Sequence, residues 1–256
     1  MERKPVSALL SDYDGTLCPT DSVRGDDSVG GNIPKELEQL LFCISKRIPM
    51  CIISSKDFEF LHERASFADI LSCVLGMETI VHNSHHKDKE IKKFGCINTQ
   101  HQITSSHFLM VNSRLLHNIV EILQNQNYQD IMIEEKYTSD KEILIGLTID
   151  HRHLENWKLF KENKEPMLRE LIERSVNTNL ATNIPSKDRP YLQTYSTHPF
   201  LDLYAVECNK GLAFDGVLSQ LKQEERQNVV YLGDSIMTTL PLENQIFQLE
   251  YVLIQD

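Results

Sequence analysis

The chain has 256 residues and is acidic, with 26 Lys and Arg against 37 Asp and Glu for a formal net charge of −11. That length suits one large domain or two modest ones. The charge balance disfavours a nucleic-acid partner, whose backbone selects basic surfaces, but admits a small phosphorylated molecule, because a metal and one lysine can reverse the sign of a pocket. The six cysteines (Cys18, Cys43, Cys51, Cys73, Cys96 and Cys208) include no Cys-x-x-Cys pair. Cys43, Cys51 and Cys73 lie in apolar stretches, the pattern of free buried thiols in a reducing cytosol. No apolar run is long enough to span a bilayer, and the amino terminus enters the first strand without room for a signal peptide. The expectation is a cytoplasmic protein, a monomer or homodimer, with no membrane partner.

The short apolar run Val6–Leu10 ends at Ser11-Asp12-Tyr13-Asp14-Gly15-Thr16. An apolar run feeding a Gly-containing turn predicts a buried strand that stops at a site. Residues i and i+2 of a strand face the same way, so Asp12 and Asp14 are expected to project together from its carboxyl end. Two adjacent carboxylates repel unless a cation or a shared proton compensates them. A divalent metal answers that need, with one Asp as ligand and nucleophile and the other as acid/base.

Cys18–Gly31 is polar, carries Gly25, Gly30 and Gly31, and reads as a loop beside the site. Asn32 as cap and Pro34 in the first turn predict a helix to about Arg47, with Leu37, Leu40, Leu41 and Ile44 as its buried face. Pro49–Ile53 predicts a second buried strand ended by Ser54-Ser55-Lys56-Asp57. Phe58–Ala65 suits a helix, and Leu71–Leu75 and Thr79–Val81 suit short strands. This alternation predicts a parallel sheet with covering helices. Near Asn83 the texture changes. A helix around Ser113–Leu123, a hairpin of Ile131–Glu135 with Lys141–Asp150, a helix from Leu154 interrupted at Pro166, and strands at Pro190–Tyr195 and Phe200–Val206 predict an inserted α/β cap over 84–196. The segment 197–256 then returns to the core begun by 1–83, with Thr197–Tyr204 as the cap's return strand or the boundary.

Three later segments carry chemistry in order. Ser54 ends the second strand; Lys210-Gly211 precedes the helical Leu212–Leu221; and Val229–Leu232 is a third buried strand ending in Gly233-Asp234-Ser235. Together with Asp12-x-Asp14-Gly15-Thr16, these segments resemble the four motifs of the haloacid dehalogenase superfamily of phosphatases, up to Met237. The resemblance implies a Rossmann-like core with an inserted cap. It implies that Asp12 attacks phosphorus, Asp14 acts as acid and base, Ser54 (with Ser55-Lys56 in place of a frequent Gly-Arg) binds the phosphate, and Lys210 balances charge. It further implies Mg²⁺ on Asp12, the Asp14 carbonyl and Asp234, an all-oxygen set that suits that ion.

The fourth motif departs from the pattern. Family members read Gly-Asp-Ser-x-x-Asp, whereas Thr238 occupies the second acidic position here and the chain stops at Asp256. One reading is a weakened metal site and a catalytically impaired binding or regulatory protein. Another comes from the codons: Met237 ends in G and Thr codons begin AC, so a one-base displacement reads Asp at this position. On that reading the tail is out of frame and the core is truncated; on the opposite one, Leu240–Gln248 is a helix and Glu250–Ile254 a strand.

Within the inserted segment, Ile133–Tyr137 and Gly146–Arg152 resemble the type IIB cap group, which includes sucrose-phosphate, trehalose-phosphate and mannosyl-3-phosphoglycerate phosphatases, archaeal trehalose-phosphatase-like members among them. This implies a Mg²⁺-dependent phosphatase for a small phosphorylated metabolite such as a sugar phosphate, or a phosphomutase of the same superfamily. Lys136, His151 and Arg152 are candidates for gripping a sugar or carboxylate, against the alternative of exposed hairpin charges. His82, His85 and His86 read as a solvated loop, and Trp157 and Phe160 as cap core.

Overall fold

The computed structural model describes residues 5–19, 32–82, 91–94, 106–125, 131–179, 188–233 and 247–250. The chain divides into two compact units, residues 1–103 with 209–256 and residues 104–208.

The first unit is built on seven strands: β1 (Ala8–Asp12), β2 (Met50–Ile53), β3 (Ile70–Cys73), β4 (Glu78–His82), β5 (Ile91–Phe94), β10 (Val229–Gly233) and β11 (Phe247–Glu250), in the order β11-β10-β1-β2-β3-β4-β5. The first five in that order are parallel, and β4 and β5 are added antiparallel. Every residue of β1, β2 and β3 is buried, as expected of parallel strands covered on both faces. Among the described residues, the α-helices of this unit are α1 (Lys35–Ser45), α2 (Phe58–Arg64) and α6 (Lys210–Gln220). Ala213, Phe214, Val217 and Leu221 of α6 and its end pack into one core with Leu10, Cys51, Ile53, Ile70, Val229 and Tyr231. Burying each large apolar side chain there contributes roughly 1.5–3 kcal/mol.

The second unit has a four-stranded antiparallel sheet, β6 (Met132–Tyr137), β7 (Leu144–Asp150), β9 (Phe200–Tyr204) and β8 (Tyr191–Thr194), in that spatial order. Its helices are α3 (Ser106–Asn125), α4 (Trp157–Asn163) and α5 (Glu165–Asn179). Leu115, Leu116, Ile119 and Leu123 of α3 are buried together with Leu147, Ile149, Leu201 and Leu203 of the sheet. The α/β architecture with a mostly parallel central sheet is thus the one the residue pattern predicts.

The structure differs from the sequence expectation in several places, each for a local reason. β5 belongs to the first sheet because it pairs with β4. β9 pairs with both β7 and β8, so of the two alternatives for Thr197–Tyr204 it is the return strand of the second unit. The exchanges therefore fall near 103 and 209, not at 83 and 197; an apolar run shows that a strand is buried, not which neighbour it pairs with. The expected interruption falls just before Pro166: α4 ends at Asn163 and α5 starts at Glu165, with Pro166 in the first turn of α5, where its missing N–H costs nothing. Pro34, not Asn32, is the residue before α1. Cys43 is exposed, although Cys18, Cys51, Cys73 and Cys208 are buried and all five are free thiols. Residues 247–250 form β11, parallel to β10, where the out-of-frame reading foresees a sheet lacking its last strand. The loop 20–31, His85, His86, Cys96, Asp234 and Thr238 lie outside the described residues.

On α1, Leu41 is 2 % exposed but Leu40 is 57 % exposed, so the buried face is narrower than the spacing implies. Leu41→Ala is expected to cost about 2–5 kcal/mol in urea unfolding and Leu40→Ala less than about 0.5 kcal/mol. Equal costs would contradict this orientation of the helix.

Candidate active site

β1 ends at Asp12 and the chain turns immediately. The Leu17 and Cys18 N–H groups donate to the Tyr13 carbonyl at 3.0 and 3.1 Å, and the Gly15 N–H donates to the Cys18 carbonyl at 2.8 Å. Asp14 therefore lies beyond the strand, placed by this turn and not by strand alternation. Gly15 has φ 78°, a left-handed conformation that costs other residues roughly 1–2 kcal/mol. The N–H groups flanking Asp14 have internal acceptors: Gly15 donates to the Cys18 carbonyl, and Tyr13 donates to Asp12 Oδ1 at 2.8 Å.

Asp12 is only 4 % exposed. Its second oxygen, Oδ2, accepts from Lys210 Nζ in a direct ion pair across 198 residues of sequence. A buried carboxylate needs such partners to remain charged. Lys210 opens α6, and the entry of that helix is fixed by Asn209, whose Oδ1 accepts the Leu212 N–H at 2.9 Å; this is an N-cap.

Ser54 follows β2 and is buried. Its Oγ accepts the Lys56 N–H at 3.1 Å, an orientation that leaves the hydroxyl hydrogen able to donate elsewhere. Ser55 is half-buried beside it. Ser11 pairs with Leu232 and Asp12 with Ile53, so Asp12, the start of the Ser54 loop and the Gly233 end of β10 lie side by side. Two features escaped the motif comparison. Asp57 caps α2 by accepting the Phe60 N–H at 3.0 Å, a signal present in its position three residues before Phe60. Tyr13 is buried edge-on to Phe60, with ring centroids 5.5 Å apart, and burial, with Cys18 nearby, raises its phenol far above the ordinary range.

Among the described residues no group of three or more His, Cys, Asp and Glu gathers as a metal site. The donors present still fit a hard divalent cation: Asp12 and Asp14 supply oxygen only, and Thr16 Oγ1 nearby in sequence is buried with no hydrogen-bond partner among the described residues.

In the second unit, Lys136 is 1 % exposed, so it is not a solvated hairpin charge; its ammonium lies 3.5 Å from Asp202 Oδ1. Asp202 also accepts from Thr148 Oγ1 at 2.5 Å and Tyr195 OH at 2.8 Å. Arg152 pairs with Asp150 at 2.7 Å and lies over the Phe200 ring. His151 is fully buried against Phe160, which belongs to the core of this unit as expected, while Trp157 is only half-buried.

No family model and no curated protein sequence matches the chain. Two solved structures resemble it in three dimensions. One, described as a trehalose-6-phosphate phosphatase related protein, has a TM-score of 0.55 at 17 % identity, covering 88 % of this chain and 76 % of its own. The other is the C-terminal domain of the C. albicans trehalose-6-phosphate phosphatase, with a TM-score of 0.55 at 17 % identity, covering 88 % of this chain and 69 % of its own. The chain has the haloacid dehalogenase fold. Open α/β sheets bind ligands at the carboxyl ends of their parallel strands. Asp12, Ser54 and Lys210 are brought to that end here, while Lys136 and Arg152 belong to the inserted unit.

Burial and the Lys161 ammonium lower the His151 pKa from 6.5 to about 4. The Asp150 carboxylate opposes this, while Glu165 Oε2, 3.5 Å from the ring, is itself held by Lys161, whose Nζ lies 2.9 and 3.1 Å from its two oxygens. Above about pH 6.5 the imidazole is neutral in both states. As pH falls towards 4 the unfolded chain takes up a proton that the folded one refuses, so stability falls, and the loss levels off below the folded value. Between pH 7 and pH 5 the wild type should lose about 2 kcal/mol more unfolding free energy than His151→Gln. Identical slopes in urea denaturation would contradict the neutral assignment.

Proposed function

We propose that this protein is a Mg²⁺-dependent phosphatase that hydrolyses a small phosphorylated metabolite, a sugar phosphate, through a phosphorylated Asp12. The observation that carries this reading is the buried Asp12 carboxylate paired to Lys210. A carboxylate kept ionised in a largely dry site is a competent nucleophile, and the ammonium offsets the charge of an approaching phosphate.

Asp12 attacks phosphorus in line, and the bond from phosphorus to the departing oxygen breaks as Asp14 donates its proton to that oxygen. Asp14, now a carboxylate, takes a proton from water. The water attacks phosphorus, the bond to Asp12 breaks, and inorganic phosphate leaves. Ser54 Oγ–H and Ser55 donate to the equatorial oxygens. Asp12, Asp14 and Asp234 would hold Mg²⁺, which when bound would supply Lewis-acid charge at the phosphate.

Residues 104–208 serve as the cap, and Lys136 and Arg152 recognise the sugar end. Arg152, the more accessible of the two, binds directly, while Lys136 acts from its pair with Asp202. A sugar phosphate is favoured because the resembling structures are described as trehalose-6-phosphate phosphatase and a related protein. Free thiols at all five described cysteines are consistent with a cytoplasmic setting.

Purified protein is expected to hydrolyse p-nitrophenyl phosphate with Mg²⁺ and to stop when the ion is chelated. Asp12→Asn should lower turnover by about 10³-fold or more while circular dichroism is retained, and Lys210→Met should lower it by about 10²-fold. Full turnover in Asp12→Asn would refute the nucleophile. No turnover of any phosphorylated sugar in a screen would favour a binding protein that has lost catalysis.

A further inference from the structure

We infer that Gly76 is a positioning residue: the left-handed turn it closes, Val74–Gly76, sets the spacing between the Ser54 loop and the helix that carries Lys210. Three consecutive residues of this turn have positive φ, with Val74 at 46°, Leu75 at 55° and Gly76 at 89°. Val74 and Leu75 are buried. A β-branched residue at positive φ is a true outlier, and such conformations persist only where surrounding structure over-determines them. What over-determines this one is visible at both ends of the turn.

At one end, the main chain of residues 72–75 grips the Ser54 loop. The Ser54 N–H donates to the Ser72 carbonyl at 3.1 Å, the Val74 N–H to the Lys56 carbonyl at 2.9 Å, and the Leu75 N–H to the Ser54 carbonyl at 2.8 Å. These bonds fix the backbone on both sides of Ser55, and with it the Lys56 N–H that orients the Ser54 hydroxyl. Without the left-handed turn, the N–H groups of residues 74 and 75 could not both return to that loop.

At the other end, Gly76 lies against the backbone of α6. A Cβ at position 76 would stand 2.7 Å from Ala213 Cα, 3.0 Å from its Cβ and 3.2 Å from its N. Backbone atoms cannot rotate aside as a flexible side chain would, so the helix itself would have to move. Ala213 is in the first turn of α6, three residues after Lys210, and its N–H is bonded to the Asn209 carbonyl at 3.0 Å. The contact thus falls on the turn that aims Lys210 at Asp12. A displacement there of even an ångström would be felt as a large loss of rate.

The catalytic consequence rests on the phosphatase reading, but the positional coupling does not, and one experiment separates them. Full-length wild type, Gly76→Ala and the control Gly216→Ala are labelled with an amine-reactive reagent, and Lys210 and Lys222 are quantified by mass spectrometry. Residue 216 is on the same helix, and a Cβ there meets nothing within 4 Å. Gly76→Ala should speed labelling of Lys210 several-fold by loosening its pair with Asp12, leave Lys222 unchanged, and lower kcat on p-nitrophenyl phosphate about 10²-fold with a smaller effect on KM. Gly216→Ala should do none of this. Should Gly76→Ala not fold, Ala213→Val crowds the same contact from the helix side and should give the same result. A purely structural glycine would lower the melting temperature without altering Lys210 labelling in the folded protein. Unchanged labelling in a folded variant, or failure of both variants to fold, overturns the inference. A Lys210 response in a protein whose wild type hydrolyses no phosphate ester keeps the coupling and overturns the proposed function.

Discussion

A carboxylate removed from water at the end of a strand is the constraint around which the first unit is organised. Asp12 has little exposure, and an unpaired buried charge costs several kcal/mol, so the chain must deliver a cation to it. Lys210 does so from 198 residues away, and much of the first unit can be understood as the means of that delivery. The hydrogen-bonded entry to α6, the apolar face of that helix on the sheet, and the close approach of Gly76 all act on the position of one ammonium group.

The parallel sheet does the complementary work. Because β10, β1 and β2 run in the same direction and in close register, their carboxyl ends form one row at the same edge. Chemistry can be distributed over segments far apart in sequence yet converge, since the sheet core is rigid and apolar while the loops carry the polar groups. β1, β2 and β3 are buried throughout, and the polar side chains they carry, Ser11, Asp12 and Ser72, are buried with them.

Much of this was legible in the residues. Apolar runs that stop at Asp12, Ile53 and Gly233 announce buried strands, and the Asp-x-Asp-Gly-Thr turn announces a site, because few other purposes place two acids and a glycine there. Long-range pairing was not legible. Nothing in Phe200–Tyr204 says that it joins β7 and β8 rather than the core, since its alternation fits either sheet. Lys136 reads as a hairpin charge because lysines are seldom buried; only Asp202, some 66 residues later by their numbers and brought alongside by the sheet, explains its burial. The positive φ of Val74 and Leu75 was equally hidden, because neither residue type favours that conformation and the bonds that impose it come from residues 54 and 56.

If Asp12 is the group on which the phosphoryl passes through the protein, it must carry that phosphoryl for part of each turnover. The most direct measurement is to react the protein with a phosphate monoester and Mg²⁺, quench in acid, reduce with borohydride, and sequence the peptides by mass spectrometry. Reduction of an aspartyl phosphate leaves homoserine in place of the aspartate. The account predicts homoserine at position 12 and at no other aspartate. Turnover without modification at position 12, or modification at another carboxylate, would contradict it.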